Sequence, residues 1–326
     1  MIYIETGSTD VCYNFGLEYY FAAEKPLEDT VFLFWRTTPT LMVGRYQNVP
    51  EEVDMAYAAA HQIRIVRRMS GGGTIYTDPG GWQFTFIDPS PEADIRFQQY
   101  ISPVLFALGE LGVQADFNGR NDLTIEGKKI SGNAQYRLGG RTVHHGSLLF
   151  DTDLEQMAAA TTVDRYKIQS KGIKSVRDRV TNIASHLPAP MPAEEFKERM
   201  VRRILGEDGR VYSVTSEDEA RIRTIGQEKF GSWESVYGRG PACSIQRTGR
   251  FPGGSMTFHL EVKRGVIRQA SVSGDFFAAV DGEALGRALV GCRYQQEAVR
   301  EALERSGMNG AVYRISAEEM ARAIAG

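Results

Sequence analysis

The sequence has little cysteine and no long apolar run. Its three cysteines, Cys12, Cys243 and Cys292, are too few and too far apart for a disulfide framework or a zinc cluster. No stretch approaches the ~20 apolar residues of a membrane span, and the first residues lack the basic segment and apolar run of a secretory signal. We therefore expect a soluble, cytoplasmic protein.

A basic excess is also missing. The chain has 38 lysines and arginines against 41 aspartates and glutamates, a formal net charge of -3, which argues against bulk binding of nucleic acid. Hydrophobic residues make up 42% of the chain and charged residues 24%, as in ordinary globular proteins. At 326 residues the chain is long enough for two domains, and its composition fits an enzyme or a binding module equally well.

Predicted strands and helices alternate through the first half of the chain, which indicates an α/β domain. The segment "GRGPACSIQRTGRFPGG" is rich in glycine, proline and arginine, and marks a change of character. We therefore predict a first domain over residues 1–242, a linker over 243–252 and a smaller domain over 253–326. In the last of these, Ser316 and Glu319 form the capping box of a final helix.

The loop "RRMSGGGTIYTDPGG", residues 67–81, is a candidate anion site. Consecutive glycines let the backbone approach a ligand closely and present its N–H groups. Arg67 and Arg68 point to opposite faces if they lie in a strand, so one of them would face the site and grip a phosphate or carboxylate. The alternative is a glycine turn with solvated arginines. The pattern matches neither a Walker A loop nor G-x-G-x-x-G.

A second candidate is "NDLTIEGKKISGNAQ", residues 121–135. Lys128 and Lys129 face opposite sides of a straight strand, so one of them would point at the sheet face. A lysine there supplies positive charge where negative charge develops during phosphate or adenylate chemistry. The alternative is a solvated hairpin tip with both lysines exposed.

Two other features do not predict a metal site or a nucleophile. His144 and His145 are neighbours in a strand, point oppositely and cannot readily chelate one ion, which favours hydrogen-bonded structural histidines. Cys12 lies just before a helix, a position that can lower a thiol pKa. No histidine is fixed near it by the sequence, so we do not expect a nucleophile there.

Taken together, these segments resemble the lipoate–protein ligase family of the bacterial two-domain type. The RR-x-SGGG and K-[IV]-SG pair is typical of the wider lipoate and biotin ligase superfamily, and the appended C-terminal domain narrows the resemblance to lipoate ligases. The fold implied is a large α/β domain of the biotin/lipoate ligase type with a mixed sheet, and a small α+β accessory domain. The matching stretches follow the family's order: "NFGLEYY", "FLFWRTTPTLMVGRYQN", "RRMSGGGTIYTDPG", "NDLTIEGKKISGNAQ", "HHGSLLFDTDL", "KGIKSVRDRVTNI" and "KFGSWESVYG".

The resemblance implies a reaction in two steps. Lipoate, ATP and Mg²⁺ give lipoyl-AMP and pyrophosphate, and a lysine of a lipoyl domain then takes the lipoyl group and releases AMP. Acceptors in such families are the glycine cleavage H protein and the E2 subunits of 2-oxoacid dehydrogenases. We expect a monomer with no nucleic-acid or membrane partner.

The resemblance also implies site residues. Lys129 matches the lysine that touches both ATP and the lipoyl carboxyl group, so we assign it inward and Lys128 to solvent. Asp122 is a candidate for Mg²⁺ or the adenine side, with a structural hydrogen bond equally open. The segment that matches the family's nucleotide-binding residues consists of Arg68, Gly73, Thr74, Ile75 and Tyr76. Candidates for the lipoate pocket are Arg45, Ser70 and His145, with Trp35, Val43 and Ile75 along its aliphatic tail.

The chain departs from the family at the far end of the glycine loop. It has Thr77-Asp78 where histidine and aspartate are common, and Gly80-Gly81 where glycine and asparagine are common. If the missing histidine contacts the intermediate in relatives, adenylate retention or acyl preference would differ here.

Two other functions stay open at this point. One is an octanoyl or lipoyl transferase that works without ATP, but such enzymes use a cysteine, and none lies between "KISG" and "HHG". The other is a non-catalytic module that binds lipoyl domains, against which Lys129 argues.

Overall fold

A computed structural model describes residues 1–89, 96–119, 121–161, 179–240, 243–276, 278–280 and 282–326. The chain folds into two compact units. The first contains Met1–Arg45 and Ile63–Ser235, and the second contains Tyr46–Gln62 and Val236–Gly326. Residues 46–62, which we assigned to the first domain, therefore group with the second unit.

The first unit is built on a mixed sheet of eight strands in the described part of the chain, in the order β11-β1-β2-β6-β10-β9-β8-β7. The pairs β11–β1 and β1–β2 are parallel, and the other pairs are antiparallel. The strands are β1 (Ile2–Ile4), β2 (Val31–Trp35), β6 (Gly81–Asp88), β7 (Asp116–Phe117), β8 (Asp122–Ile125), β9 (Lys128–Leu138), β10 (Arg141–Leu149) and β11 (Arg210–Tyr212).

A small sheet in the same unit carries the glycine loop. Its strands are β3 (Thr40–Val43), β4 (Arg64–Arg67) and β5 (Ile75–Thr77), in the order β4-β3-β5. Strand β3 pairs with β4 in parallel and with β5 antiparallel. The loop at residues 68–74 thus joins the two outer strands of this sheet.

Helices cover both faces of the large sheet, and polar caps fix where several of them begin. Asp10 accepts from the backbone N–H of Cys12, and Asp153 accepts from those of Glu155 and Gln156. Apolar side chains of the two layers form separate cores on the two faces of the sheet. The helices of this unit are α1 (Val11–Tyr19), α4 (Phe97–Glu110), α5 (Leu154–Ala160), α6 (Ala193–Leu205) and α7 (Ser216–Gly226). A short helix, α8 (Trp233–Val236), begins in this unit and ends at the first residue of the second.

Two tight turns place β8, β9 and β10 side by side. Glu126 and Gly127 have φ of 51° and 77°, and Gly139 and Gly140 have φ of 58° and 78°. Positive φ at both central residues is the requirement of the hairpin turn whose twist matches that of the strands. The "GKKISGN" segment therefore lies on the central antiparallel part of the sheet.

The second unit contains a three-stranded antiparallel sheet of β12 (Cys243–Phe251), β13 (Gly254–Lys263) and β14 (Val266–Phe276). The predicted linker at residues 243–252 is therefore wrong, because most of it is strand β12. Ile245 is buried between exposed Ser244 and Gln246, the alternation of a half-buried strand. The glycine, proline and arginine content concealed that alternation. The helices here are α2 (Val49–Glu52), α3 (Met55–Ala60), α9 (Gly282–Leu289), α10 (Gln296–Arg305) and α11 (Ala317–Ala325).

A hairpin turn and a helix cap fix two parts of the second unit. Strands β13 and β14 meet in a hairpin at Arg264 and Gly265, both with positive φ. Ser316 and Glu319 form the predicted capping box at the start of α11.

One stretch of the predicted family pattern is only partly described, and one expectation concerned membrane-spanning segments. Of the "KGIKSVRDRVTNI" stretch, residues 171–178 lie outside them. Within them, no helix is both long and apolar enough to cross a lipid bilayer.

A buried carboxylate, Asp218, links three elements of the first unit. Its Oδ1 lies 2.7 Å from Lys25 Nζ and accepts from the Tyr20 hydroxyl at 2.8 Å, while its Oδ2 accepts from the Tyr212 hydroxyl at 2.6 Å. Burial alone would raise the pKa of Asp218, but these hydrogen bonds hold it well below its usual range. The carboxylate therefore joins α7 to β11 and to the chain that follows α1.

We predict that Asp218→Ala lowers the free energy of unfolding by about 1–3 kcal/mol, because buried hydroxyl groups lose their acceptor. Glu219→Ala, one residue along α7, is the matched control. Its partner Arg223 is exposed, so the change should cost much less than Asp218→Ala. Urea denaturation measures both values, and equal losses in the two variants would contradict the assignment.

Candidate active site

The floor of the candidate site is one face of the large sheet. Strand register places Gln83 beside Trp35 on one side and Ser147 on the other. Two residues along, Thr85 lies beside His145 in the same way. Because side chains alternate along a strand, all five project to the same side of the sheet. Strands β6 and β10 thus contribute a polar strip to an otherwise apolar layer, with Trp35 of β2 beside it.

Arg68 shapes the glycine loop above this floor. Its Nε donates to Ser70 Oγ at 3.1 Å, and its NH1 group donates to the Met42 carbonyl oxygen at 2.5 Å. Its NH2 group donates to the carbonyl oxygens of Gly71 and Gly73 at 2.9 and 2.6 Å. Burial lowers the pKa of Arg68 to about 10, so the guanidinium stays charged at neutral pH. Most of its donors are used to fix the loop.

The two arginines diverge as predicted, but neither is solvated. Arg67 is buried and donates to the carbonyl oxygen of Gly44 at 2.9 Å, while Arg68 lines the cavity. The alternative of a glycine turn with solvated arginines therefore does not hold.

A buried chain of hydrogen bonds runs from the loop into helix α1. Ser70 Oγ lies 2.6 Å from His145 Nε2, and His145 Nδ1 lies 3.2 Å from Glu18 Oε2. The Glu18 carboxylate also accepts from the Thr85 and Tyr136 hydroxyls at 2.9 and 2.7 Å. These contacts hold the His145 ring in one orientation at the wall of the cavity.

Lys129 points inward and Lys128 is exposed, the arrangement that we predicted. Lys129 Nζ lies 2.8 Å from Asp122 Oδ1, and a Cβ added to Gly132 would come within 3.0 Å of that same Nζ. Glycine in "KISG" therefore leaves room for the ammonium group to lie across the strand. The backbone of Lys129 is held in turn, because its N–H donates to Arg179 O at 2.7 Å and its carbonyl accepts from Thr181 N at 3.0 Å.

Two adjoining cavities meet at Lys129. They share Thr74, Ile75, Lys129, Gly132 and Ser147. The first cavity is otherwise walled by apolar rings and by the polar strip: Phe15, Trp35, Met42, Arg68, Gly72, Gly73, Gln83, Asn121, Asn133, Ala134, His145 and Gly146. The second adds Tyr76, Ser131, Leu149, Met157, Thr161 and Val180.

Most of the predicted site residues are brought together by the fold. Arg68, Gly73, Thr74, Ile75, Lys129, Trp35 and His145 line the first cavity, and Tyr76 lines the second. Ser70 and Asp122 contact lining residues. Arg45 and Val43 are not among the residues that line either cavity: Arg45 is exposed, and Val43 is fully buried while its neighbour Met42 lines the wall.

We did not predict Glu18, Gln83 and Ser147 from the sequence. Each is a polar residue at an inward position of an apolar element: Glu18 in α1, Gln83 in "WQFTF" and Ser147 in "HHGSLLF". A polar residue that interrupts a buried pattern is the signal that would have found them, because burial of a polar group is costly without a partner.

The segment that follows the glycine loop, residues 77–81, makes structural contacts. The Thr77 hydroxyl pairs with that of Thr37 at 2.6 Å, and Thr77 is not among the residues that line either cavity. Asp78 accepts from the backbone N–H groups of Gly80 and Asp153, at the start of α5. A Cβ at Gly81 would come within 2.9 Å of Thr152 Oγ1. The departures at 77 and 81 thus face neighbouring segments of the chain.

His144 and His145 lie on opposite faces of β10, as predicted. His144 is buried against Phe84 and Tyr100, and its Nε2 lies 3.3 Å from Asn133 Oδ1. In the described residues, no group of three or more histidine, cysteine, aspartate or glutamate side chains is arranged to hold a metal ion.

The described thiols are poor nucleophiles. Cys12 lies in the first turn of α1, where burial raises its pKa to about 11 rather than lowering it, so the suggested lowering is wrong. Burial also raises the pKa of Cys292 to about 11. Neither residue lines the two cavities.

Comparisons with known proteins identify the family in which a mixed sheet, a glycine loop and an inward lysine occur together. Residues 10–205 match the lipoyl protein ligase A/B catalytic domain, and residues 240–324 match the bacterial lipoate protein ligase C-terminus. The chain belongs to the lipoate–protein ligase family.

Relatives resemble the chain along most of its length. It is 41% identical over 297 residues to lipoate–protein ligase 1 of Staphylococcus aureus, with 90% of each chain covered. It is 37% identical over 310 residues to lipoate-protein ligase LplJ of Bacillus subtilis, covering 93% of this chain and 94% of that protein.

Solved structures agree with this assignment. A bi-partite lipoate protein ligase of Thermoplasma acidophilum, described with its E2 lipoyl domain, matches with a TM-score of 0.65 and 26% identity over 72% of this chain and 95% of that one. A lipoate-protein ligase A bound with ATP matches with a TM-score of 0.59 and 25% identity over 70% and 94%. The predicted fold class is confirmed.

We predict that Gly80→Ala lowers the free energy of unfolding by about 1–3 kcal/mol, because its Cβ would overlap the carbonyl oxygen of Asp151. Gly73→Ala, in the glycine loop before β5, is the control, since a Cβ there meets no atom within 4 Å. Denaturant unfolding measures the difference, and similar stabilities of the two variants would contradict the close packing at Gly80.

We also predict a pH dependence from His144. Burial, with the neighbouring His145 as a smaller cause, lowers the pKa of His144 to about 3 from 6.5. Below pH 6.5, His144 therefore binds a proton in the unfolded chain but not in the folded protein. Stability should fall by up to about 1.4 kcal/mol per pH unit between those two values.

The measurement is urea unfolding from pH 4 to pH 7 on the wild type and on His144→Phe, which lacks the titrating group. The slope against pH should be shallower in the variant, while replacement of the exposed His259 by asparagine should leave it unchanged. Parallel curves for the wild type and His144→Phe would contradict the prediction.

Proposed function

We propose that this protein is an ATP-dependent lipoate–protein ligase that first forms lipoyl-AMP and then transfers the lipoyl group to a lysine of a lipoyl domain. The observation that supports this most strongly is the position of Lys129, whose side chain lines both cavities where they meet. An acid-activating enzyme needs one compartment for the acid, one for the nucleotide, and positive charge between them.

In the first step, a lipoate carboxylate oxygen attacks the α-phosphorus of ATP, and the bond to the bridging oxygen of pyrophosphate breaks. Negative charge builds on the α-phosphate oxygens as the new bond forms. Lys129 offsets this charge and holds the carboxylate near the phosphorus. Asp122, 2.8 Å from Lys129 Nζ, fixes where the ammonium group lies.

In the second step, the amine of an acceptor lysine attacks the carbonyl carbon of lipoyl-AMP, AMP leaves, and an amide forms with release of one proton. Lys129 remains beside the anhydride, where its charge polarises the carbonyl group. The acceptor lysine must lose a proton from an ammonium group whose ordinary pKa is about 10.4.

We assign the second cavity to the nucleotide. Its wall includes Thr74, Ile75 and Tyr76, and the Tyr76 hydroxyl donates to Gln156, which ties the segment to helix α5. Gly73, at the start of this segment, is held through its carbonyl by Arg68. In this arrangement Arg68 supports the nucleotide segment from beneath.

Mg²⁺ fits this site as an ion that arrives with ATP. Mg²⁺ commonly keeps several waters and binds one or two carboxylates together with substrate phosphates. Asp122 is the carboxylate that we propose for this role, because its Oδ1 lies 2.8 Å from Lys129 Nζ. The ion would neutralise part of the phosphate charge during the first step.

We assign the first cavity to the lipoyl chain. Phe15, Trp35, Met42 and Ile75 provide apolar surface for its hydrocarbon tail, while Lys129 meets its carboxylate end. The Ser70–His145–Glu18 chain of hydrogen bonds keeps the polar side of this wall rigid.

The partners that we propose are lipoyl-domain proteins, namely the glycine cleavage H protein and E2 subunits. The archaeal relative described with an E2 lipoyl domain supports this class of acceptor. A monomeric enzyme that works in the cytoplasm, with a catalytic domain and a smaller accessory domain, completes the proposal.

Lipoate-dependent exchange between ATP and labelled pyrophosphate tests the function. We predict exchange in the wild type and a loss of about 10²- to 10³-fold in Lys129→Met, the size typical of one lost electrostatic contact in a transition state. Lys128→Met is the matched control, because that side chain is exposed at the neighbouring position and should keep wild-type exchange.

The outcomes separate the function from the site. No exchange by the folded wild type at any lipoate concentration would contradict the ligase function. Exchange that survives Lys129→Met would leave the function standing and overturn the role of that lysine.

A further inference from the structure

The side-chain oxygen of one amide that lines the first cavity has no hydrogen-bond partner among the described residues. Gln83 is 3% exposed, and its Oε1 is buried without a hydrogen-bond partner among the described residues. Its side chain lines the cavity wall. A buried amide that lacks a partner costs free energy, so a group that fills this cavity and satisfies the amide gains affinity.

Strand register gives the depth of Gln83 in the cavity. Gln83 on β6 lies directly opposite Ser147 on β10, and Ser147 Oγ accepts from the backbone N–H of Gly132 on β9. Lys129 Nζ lies over Gly132. Gln83 is therefore two strands, about 10 Å, from the ammonium group that meets the carboxylate.

Lipoate has a polarisable group at that distance. Its dithiolane ring begins at the sixth carbon, when the carboxyl carbon is counted as the first. With carbon–carbon bonds of about 1.5 Å, an extended chain therefore carries the sulfur atoms to roughly the depth of Gln83. Trp35 lies directly beside Gln83 on the neighbouring strand. Sulfur packs favourably against aromatic rings, so the ring would meet an indole and an amide together.

We propose that Gln83 contacts the dithiolane ring and thereby makes the cavity select lipoate over octanoate, an inference that rests on the proposed function. A sulfur atom is a weak hydrogen-bond acceptor, and a half-turn of the amide presents its NH2 group instead of its oxygen without a change of volume. Octanoate has only hydrocarbon at this depth and offers the amide no polar contact.

The contribution of Gln83 is measurable as a ratio. The exchange assay gives kcat/KM for lipoate and for octanoate in the wild type and in Gln83→Met, which keeps the length of the side chain and removes the amide. We expect the lipoate-to-octanoate ratio to fall at least about fivefold in the variant, the effect of a single unsatisfied buried polar group. Gln98→Met is the matched control, because Gln98 is exposed on α4 and does not line the first cavity.

Two results would count against the selective role of Gln83. A ratio in Gln83→Met within twofold of the wild type, or an equal loss of both activities, would overturn the selective role of the amide. Gln83→Leu is a second variant without the amide, and thermal unfolding shows whether each variant is folded. Failure of the proposed function is distinct, because the wild type would then show no exchange with either acid.

Discussion

The site depends on one buried charge. The Arg68 guanidinium lies below the glycine loop and donates to the carbonyl oxygens of Met42, Gly71 and Gly73 and to the Ser70 hydroxyl. A buried guanidinium must keep nearly all its donors paired, so the loop cannot change shape without exposing or orphaning it. This constraint holds the loop backbone over the cavity and Ser70 against His145.

The large sheet supplies the other half of the site. Its register sets Trp35, Gln83 and Ser147 in one row that leads to Lys129, so a ligand lying across the strands meets apolar surface, an amide and a cation in turn. A carboxylate beside Lys129 has a neighbouring cavity in reach for its second substrate. The order of strands, rather than the order of residues along the chain, therefore brings together the residues that line the two cavities.

Site residues that lie in one continuous stretch could be predicted from the sequence, and residues that only folding brings together could not. The loop at 67–81 and the pair Lys128 and Lys129 were found because glycines and adjacent charges are local signals. Glu18 and Gln83 were missed because their roles depend on strand and helix neighbours far along the chain. Strand β12 was taken for a linker because turn-forming residues outweighed a short alternation, and residues 46–62 group with the second unit through packing that no local pattern encodes.

The central claim is that the two cavities joined at Lys129 hold an acid and a nucleotide for direct reaction. Mass spectrometry of the products formed from ATP and lipoate, without any acceptor protein, tests this most directly. The structure predicts lipoyl-AMP and pyrophosphate in equal amounts, with the adenylate retained by the protein. Formation of ADP and phosphate, or of a lipoyl group attached covalently to the protein without AMP, would contradict it.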